Sequence, residues 1–259
     1  MNKREVRIVK ILQKMKEDPF VSIAELADLF AVSQMTIRRD LQYIDEHGLH
    51  STSPLGNIPG KSAVRETGSG IYTYQTEEVR CAAEKRRINE FAVSLLNPGD
   101  VIVLDSGTTA GMMPELIPDD MPLTVICYSY YIVQKLCDKP NIRLILAGGY
   151  YHRNTKIFSS EEGISFMRQL RAQKVFLCTS GIHADMGLTC SDQYIGDLKK
   201  AAISMSLEKI LITDSTKFGK VHPGYFAELD DLNRIITDDG ISRDWIELIR
   251  EKGIHLDIV

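Results

Sequence analysis

The sequence predicts two domains: a small N-terminal (winged) helix-turn-helix, then a doubly wound, mainly parallel α/β domain. Three observations predict this. Apolar side chains recur at helical spacing in three short segments before Gly48. A stretch rich in Gly, Pro, Ser and Thr follows, from His50 to about Gly70. Beyond it, short continuous apolar runs alternate with amphipathic stretches, as in a parallel sheet buried on both faces. The expected boundaries are 1–57 for the helix-turn-helix, 58–75 for a linker and 76–259 for the α/β domain.

The first helix carries Val6, Ile8, Val9, Ile11, Leu12 and Met15, and Asp18-Pro19 ends it. Ser22-Ile23-Ala24-Glu25 has the form of a capping box, opening a second helix that runs to about Phe30. After the connection Ala31-Val32, Ser33 is the expected N-cap of a third helix. That helix has Ile37, Leu41 and Ile44 on one face and stops near Gly48. In the larger domain the expected strands are Val101–Leu104, Leu123–Cys127, Arg143–Leu146, Val175–Cys178, Ile210–Thr213, Arg234–Thr237 and His255–Val259. Helical patterns fall between them, at about 76–96, 109–117, 129–138, 160–171, 194–206 and 242–252.

Composition limits the classes of function. With 44% hydrophobic and 25% charged residues, most of the 259-residue chain is expected to bury a core. No apolar run approaches the roughly 20 residues of a bilayer span, and no signal peptide is expected. Five scattered cysteines without a C-x-x-C pair point to reduced thiols and a cytoplasmic protein. The net charge of −4 does not by itself suggest nucleic acid. In residues 1–60, Lys3, Arg4, Arg7, Lys10, Lys14, Lys16, Arg38 and Arg39 face eight acidic side chains.

The case for DNA therefore rests on pattern. A recognition helix enters the major groove N-terminus first. With Ile37, Leu41 and Ile44 turned inward, Ser33, Gln34, Met35 and Thr36 fall near base edges. Arg38, Arg39 and Gln42 face outward, and the arginines have the reach for a guanine or a phosphate. A plain three-helix bundle with solvated arginines fits the same pattern.

In the α/β domain, ligands are expected beyond the carboxyl ends of the strands. Asp105-Ser106-Gly107-Thr108-Thr109 follows the first strand, and such a loop offers amides and hydroxyls to an anion. A helix starting only at Pro114 would leave the loop less directly on its dipole. Cys127-Tyr128-Ser129, Ala147-Gly148-Gly149 and Asp214-Ser215-Thr216-Lys217 end other strands at the same edge, with Lys217 as the cation for a phosphate. The loop, Gly148-Gly149 and Lys217 each have a plainer reading: an N-cap turn, a positive-φ turn and a solvated lysine.

Ile23-Ala24-Glu25-Leu26-Ala27, Val32-Ser33 and Thr36-Ile37-Arg38-Arg39-Asp40-Leu41 resemble the signature of the DeoR family of bacterial regulators. The resemblance continues through Glu84-Lys85-Arg86-Arg87, Asp105 to Thr109, Gly148-Gly149, Ser180-Gly181-Ile182, Gly187-Leu188-Thr189, Lys199 and Asp214 to Gly219, nearly the whole chain. It implies a sensor domain with the fold of ribose-5-phosphate isomerase and CoA transferases, and a site that holds a sugar phosphate. Asp105, Ser106, Gly107, Thr108, Thr109, Tyr128, Gly148, Gly149, Gly181, Lys199, Asp214 and Lys217 are the effector-binding residues it implies. Thr124 to Ser129, Gly148 to His152, Gly181 to Asp185 and Phe218 to Pro223 are most similar to a member whose effector is deoxyribose-5-phosphate. The implied partners are double-stranded operator DNA, a phosphorylated sugar and further copies of the chain; no membrane is expected. Two departures stand out. Most members continue after the third helix with an Arg and a His-Gly-Gly wing, where this chain has Leu49 to Pro54. Most carry a glutamate four residues before the sensor lysine, where this chain has Ile195 with Asp197 nearby.

The rival function is an enzyme. An aldose-phosphate isomerase needs a base and an oxyanion stabiliser, and Asp105, Asp185, Asp192, Asp197 and Asp214, with Lys217, are nominally available. That reading leaves the first 50 residues unexplained, so no catalytic residue is assigned. The six histidines show no metal-ligand spacing, and neither metal nor cofactor is expected. The tyrosines at strand ends and in the linker lack the basic groove of a single-strand binder.

Overall fold

The computed structural model describes residues 3–17, 23–46 and 80–259. The chain separates into two compact units, Met1–Ile71 and Tyr72–Val259. Ser22 of the expected capping box, the wing and the linker at 58–75 lie outside the described residues.

The first unit contains α1 (Lys3–Glu17), α2 (Ile23–Leu29) and α3 (Gln34–Glu46). Ile8, Ile11, Ile23, Leu26, Ala27, Ile37 and Ile44 are buried together, with Leu12, Phe30, Val32 and Leu41 packed against them. Burying one such Ile or Leu fully is worth about 1.5–3 kcal/mol. The turn closes as Ala31 takes a left-handed φ of 51° while the Val32 amide donates to the Ala27 carbonyl at 3.0 Å. Ser33 caps α3, its hydroxyl accepting from the Thr36 amide at 3.2 Å.

The second unit is built on a seven-stranded sheet of order β12-β11-β9-β6-β1-β2-β3, with every neighbouring pair parallel. Its strands are β1 (Val101–Leu104), β2 (Leu123–Cys127), β3 (Ile142–Leu146), β6 (Ala172–Leu177), β9 (Ser206–Ile212), β11 (Arg234–Thr237) and β12 (His255–Ile258). Each falls on a predicted strand. Successive side chains go to opposite faces, so both faces need cover. Val103, Val175, Leu177, Leu211 and Ile235 pack on one side with α7 (Glu161–Gln169), α8 (Gln193–Ser204) and α9 (Arg243–Glu251). Ile102, Leu104, Val125, Phe176, Ile210 and Ile236 pack on the other, with α4 (Ala82–Ser94), α5 (Met113–Leu116) and α6 (Tyr130–Leu136). The unit is therefore doubly wound.

Five short strands were not predicted. β4 (Tyr150–His152) and β5 (Ile157–Ser159) form an antiparallel hairpin, and β7 (Gly181–His183), β8 (Gly187–Cys190) and β10 (Gly224–Ala227) form an antiparallel sheet of order β10-β8-β7. At three or four residues each, they hold too few turns of alternation to register. The expected helix at 109–117 is a 3-10 turn, Ala110–Met112, followed by the four-residue α5 with Pro114 in its first turn.

Candidate functional site

In the first unit, α3 turns Ile37, Asp40 and Ile44 inward, while Gln34, Arg38 and Arg39 stand exposed and Met35 is 57% exposed. Thr36 is half-buried and its hydroxyl bonds that of Ser33 at 2.9 Å. Only the helical position of Gln42 is described. Asp40 is buried and ties α3 to α1, accepting from Arg7 Nε at 2.5 Å and Arg4 Nε at 3.1 Å. Arg4 also donates to the Arg39 carbonyl and lies over the Tyr43 ring. Two of the basic side chains counted in the sequence thus serve the fold. Arg38 and Arg39 remain on the outward face.

In the second unit the strand order reverses at β1. The chain leaves β1 for β2 and β3 on one side and returns to β6 on the other, which is where α/β sheets open a ligand crevice. A cleft lies there. It is lined by Ser106, Gly107, Thr108 and Thr109 after β1, by Cys178, Thr179 and Ser180 after β6, and by Lys217 after β9. Cys190 and Ser191 from the end of β8, Ile195 and Lys199 from α8, and Thr155 from the β4–β5 hairpin complete it.

The loop after β1 is shaped for close approach. Gly107 has φ +142°, and a Cβ there would lie 2.8 Å from the Cys178 Cβ, so a side chain is excluded by both backbone and space. Among the described residues the amides of Gly107, Thr108 and Thr109 donate to no group of the chain, whereas the Ser106 amide donates to Asp105 Oδ1 at 2.7 Å. Three successive amides with no partner in the chain are donors that an anion could use. The helix that follows is too short for its dipole to add much. Lys85, buried on α4, donates to the Thr108 hydroxyl at 2.9 Å and fixes it from behind the loop.

Asp105 does not line the cleft. It is fully buried and accepts from the Tyr128 hydroxyl, Lys199 Nζ, the Ser106 amide and, at 2.7 Å, the Cys178 amide. Burial, then the Asp105 charge and its hydrogen bond, push the Tyr128 hydroxyl well above its ordinary pKa, so it stays a neutral donor. Lys199 reaches the cleft wall, but its ammonium also donates to the Cys178 carbonyl at 2.8 Å. Tyr128, Gly148, Gly149, Gly181 and Asp214 likewise stand outside the lining. Gly149 has φ +141°, and a Cβ there would lie 2.4 Å from the Ser159 carbonyl, so it seats the hairpin. Asp214 caps the 3-10 turn Ser215–Lys217 by accepting from the Thr216 amide at 3.2 Å. Asp238 braces the same turn, accepting from the Ser215 amide at 2.6 Å and the Ser215 hydroxyl at 2.7 Å. Burial raises the Asp238 carboxyl, but these bonds and that from Gly240 outweigh it and hold the pKa below the ordinary value.

Thr155, Cys178, Thr179, Cys190, Ser191 and Ile195 were not among the predicted site residues. Thr155, Cys190 and Ser191 reach the cleft through the short antiparallel elements, which carry no periodic signal, whereas Cys178 and Thr179 follow β6 and Ile195 stands on α8. Burial pushes the Cys178 thiol up to about 12 and raises that of Cys190, so both are neutral wall groups. No carboxylate lines the cleft among the described residues. Of the five aspartates weighed as bases, Asp105 and Asp214 are tied as above. Asp192 takes the N-cap position of α8, Asp197 bonds Gln193 and lies near Lys200 on the outer face, and Asp185 is exposed. No group of three His, Cys, Asp or Glu among the described residues is spaced for a metal, and no described helix is long and apolar enough to cross a membrane.

Comparison with known proteins identifies both units. Residues 7–52 match the model of the DeoR-like helix-turn-helix domain, and residues 80–239 match that of the DeoR C-terminal sensor domain. The deoxyribose operon repressor of Escherichia coli K12 is 28% identical over 254 residues, covering 98% of both chains. An HTH-type regulator of Bacillus subtilis, YulB, is 30% identical over 99% of this chain and 96% of its own. The transcriptional repressor AccR of Agrobacterium fabrum is 29% identical over 97% and 95%. Among solved structures, ribose-5-phosphate isomerase A of Methanocaldococcus jannaschii aligns over 53% of this chain and 55% of its own, at 16% identity and a TM-score of 0.39. On the two domain matches, which together span most of its length, the chain belongs to the DeoR family of helix-turn-helix transcription regulators.

Proposed function

We propose that the chain represses a sugar or deoxyribonucleoside catabolic operon and is released from its operator by a sugar phosphate, with deoxyribose-5-phosphate the first candidate. The observation that carries this reading is the run of unbonded Gly107, Thr108 and Thr109 amides in the same cleft lining as Lys217, among hydroxyls and, among the described residues, without a carboxylate. Such a site attracts a dianion and repels nothing about it. The name of the Escherichia coli relative supports the choice of sugar. So does Ile195, an apolar group in the cleft wall that offers no partner to a hydroxyl, so that a deoxy carbon loses nothing there.

In this reading Ser33, Gln34, Met35, Thr36, Arg38, Arg39 and Gln42 meet operator DNA. Ser106 to Thr109, Lys199 and Lys217 meet the effector directly, and Asp105, Tyr128, Gly148, Gly149, Gly181 and Asp214 shape the cleft. The protein acts in the cytoplasm as a dimer or higher homo-oligomer, because one reader offers too few contacts for a specific site and two-fold symmetry matches paired half-sites. The effector binds the DNA-incompetent state more tightly, and that difference, typically about 1–3 kcal/mol, is the whole of its leverage. A thermal-shift screen of phosphorylated pentoses, hexoses and nucleosides tests the reading. A rise in Tm selective for deoxyribose-5-phosphate is expected. A selective rise with another sugar phosphate reassigns the effector, and none with any of them removes the sensor function.

A further inference from the structure

One polar wall of the cleft belongs to no element that the sequence made visible. Thr155 sits in the turn of the β4–β5 hairpin and is only 6% exposed, while its neighbours Arg153 and Asn154 are exposed. Of the hairpin residues, Thr155 alone lines the cleft among the described residues. Its hydroxyl lies 3.1 Å from the Tyr194 hydroxyl. Tyr194 stands in the first turn of α8, beside the cleft residue Ile195. The Tyr194 ring stacks on His152 at 4.1 Å between centroids and 14° between planes, and His152 Nε2 is bonded to the Ser159 hydroxyl at 2.7 Å. The hairpin is itself pinned to the end of β2. The Phe158 amide donates to the Tyr128 carbonyl, and the Tyr130 amide donates to the Lys156 carbonyl, both at 2.8 Å.

Thr155 is thus a hydroxyl held on a fixed arm. When one of two bonded hydroxyls donates to the other, the acceptor's own proton stays available, and so do lone pairs on both oxygens. The hairpin brings no cation to the cleft lining: Arg153 is exposed, and the Lys156 ammonium lies over the Tyr151 ring at 5.9 Å. A wall with one exchangeable proton, no charge and an apolar neighbour in Ile195 suits the uncharged part of a ligand.

Building on the sugar-phosphate reading, we infer that Thr155, positioned by Tyr194, is a specificity-determining residue that hydrogen-bonds a hydroxyl or carbonyl oxygen of the sugar portion, apart from the phosphate. The hairpin therefore selects among phosphorylated sugars, while the loop after β1 and Lys217 hold the anion they share.

Isothermal titration calorimetry on the full-length protein separates the two subsites. The probes are inorganic phosphate and whichever of deoxyribose-5-phosphate, ribose-5-phosphate and glucose-6-phosphate the wild type binds tightest. Thr155→Val keeps the shape and removes the hydroxyl. It is expected to weaken the sugar phosphate by about 10-fold, the loss of one hydrogen bond, and to leave inorganic phosphate unchanged. Thr155→Ser is expected to restore the sugar phosphate. Tyr194→Phe, which keeps the stack on His152, is expected to give a smaller loss of the same kind. Wild-type sugar-phosphate affinity in Thr155→Val overturns the inference. So does an equal loss of both probes in Thr155→Val and Thr155→Ser, which marks a structural role. If the wild type binds neither probe, the sugar-phosphate reading itself fails; if it binds both and Thr155→Val changes neither, only the hairpin's role fails.

Discussion

At the scale of single residues, the cleft depends on an ion pair buried in its wall. Asp105 and Lys199 are 0% and 2% exposed, and removing either partner of such a pair strands the other charge without water. Asp105→Asn and Lys199→Met are each expected to destabilise the sensor unit by about 3–5 kcal/mol. The double variant is expected to cost much less than their sum, read from urea unfolding midpoints at constant m. A double variant costing the full sum would mean that the two groups act independently. On α3, Arg38 is exposed, between the buried Ile37 and the exposed Arg39. Arg38→Ala is expected to cost about 1–3 kcal/mol of operator affinity if it reads a guanine, with effector binding intact. Gel-shift titration at fixed salt together with calorimetry checks both halves of that statement.

At the scale of elements, the turn Ser215–Lys217 is where the stability of the fold and the chemistry of the cleft meet. Asp238 holds Ser215 from β11's carboxyl end, and its pKa lies below the ordinary value. Its carboxylate stabilises the fold fully above the unfolded pKa of about 3.9, and that stabilisation is lost as pH falls through the lower folded value. Asp100, whose burial is outweighed by its bonds to Lys174 and the Asn97 amide, adds the same sign. Asp238→Asn is therefore expected to be less stable at pH 7 and to lose less stability than the wild type between pH 6 and pH 3. Parallel curves for the two proteins over that range would contradict this. All seven parallel strands and α1 to α3 were legible in the sequence, because continuous apolar runs and 3.6-residue spacing are the direct trace of two-sided and one-sided burial. Ser106 to Thr109 and Lys217 were legible too, since they follow strands at the edge where such sheets bind ligands. Thr155, Cys190 and Ser191 were not. They arrive on the hairpin and on β8, elements of three and four residues whose place depends on tertiary pairing rather than on local pattern. The role of Asp105 was also hidden: a strand-end aspartate reads as a ligand group, and only the convergence of Tyr128, Lys199 and two amides shows it to be the keystone beneath the loop.

At the scale of the whole molecule, the chain pairs a helix-turn-helix with a cleft that lies at the switch point of a doubly wound sheet. The acidic balance of the sequence and the spending of Arg4 and Arg7 on Asp40 leave few cations for the phosphate backbone. Operator affinity is thus expected to come from base contacts along α3 and from joining two or more copies. The two units have a regulatory use only if occupancy of one changes the affinity of the other, a coupling that must be reciprocal. Fluorescence anisotropy of a labelled duplex, selected in vitro by the protein itself, measures this directly as deoxyribose-5-phosphate is added to the wild type and to Lys217→Ala. The wild type is expected to release the duplex, and Lys217→Ala is expected to bind it equally well and hold it at the same sugar-phosphate concentration. Release of both proteins alike, or of neither by any sugar phosphate, would contradict the assignment of the cleft as the sensor.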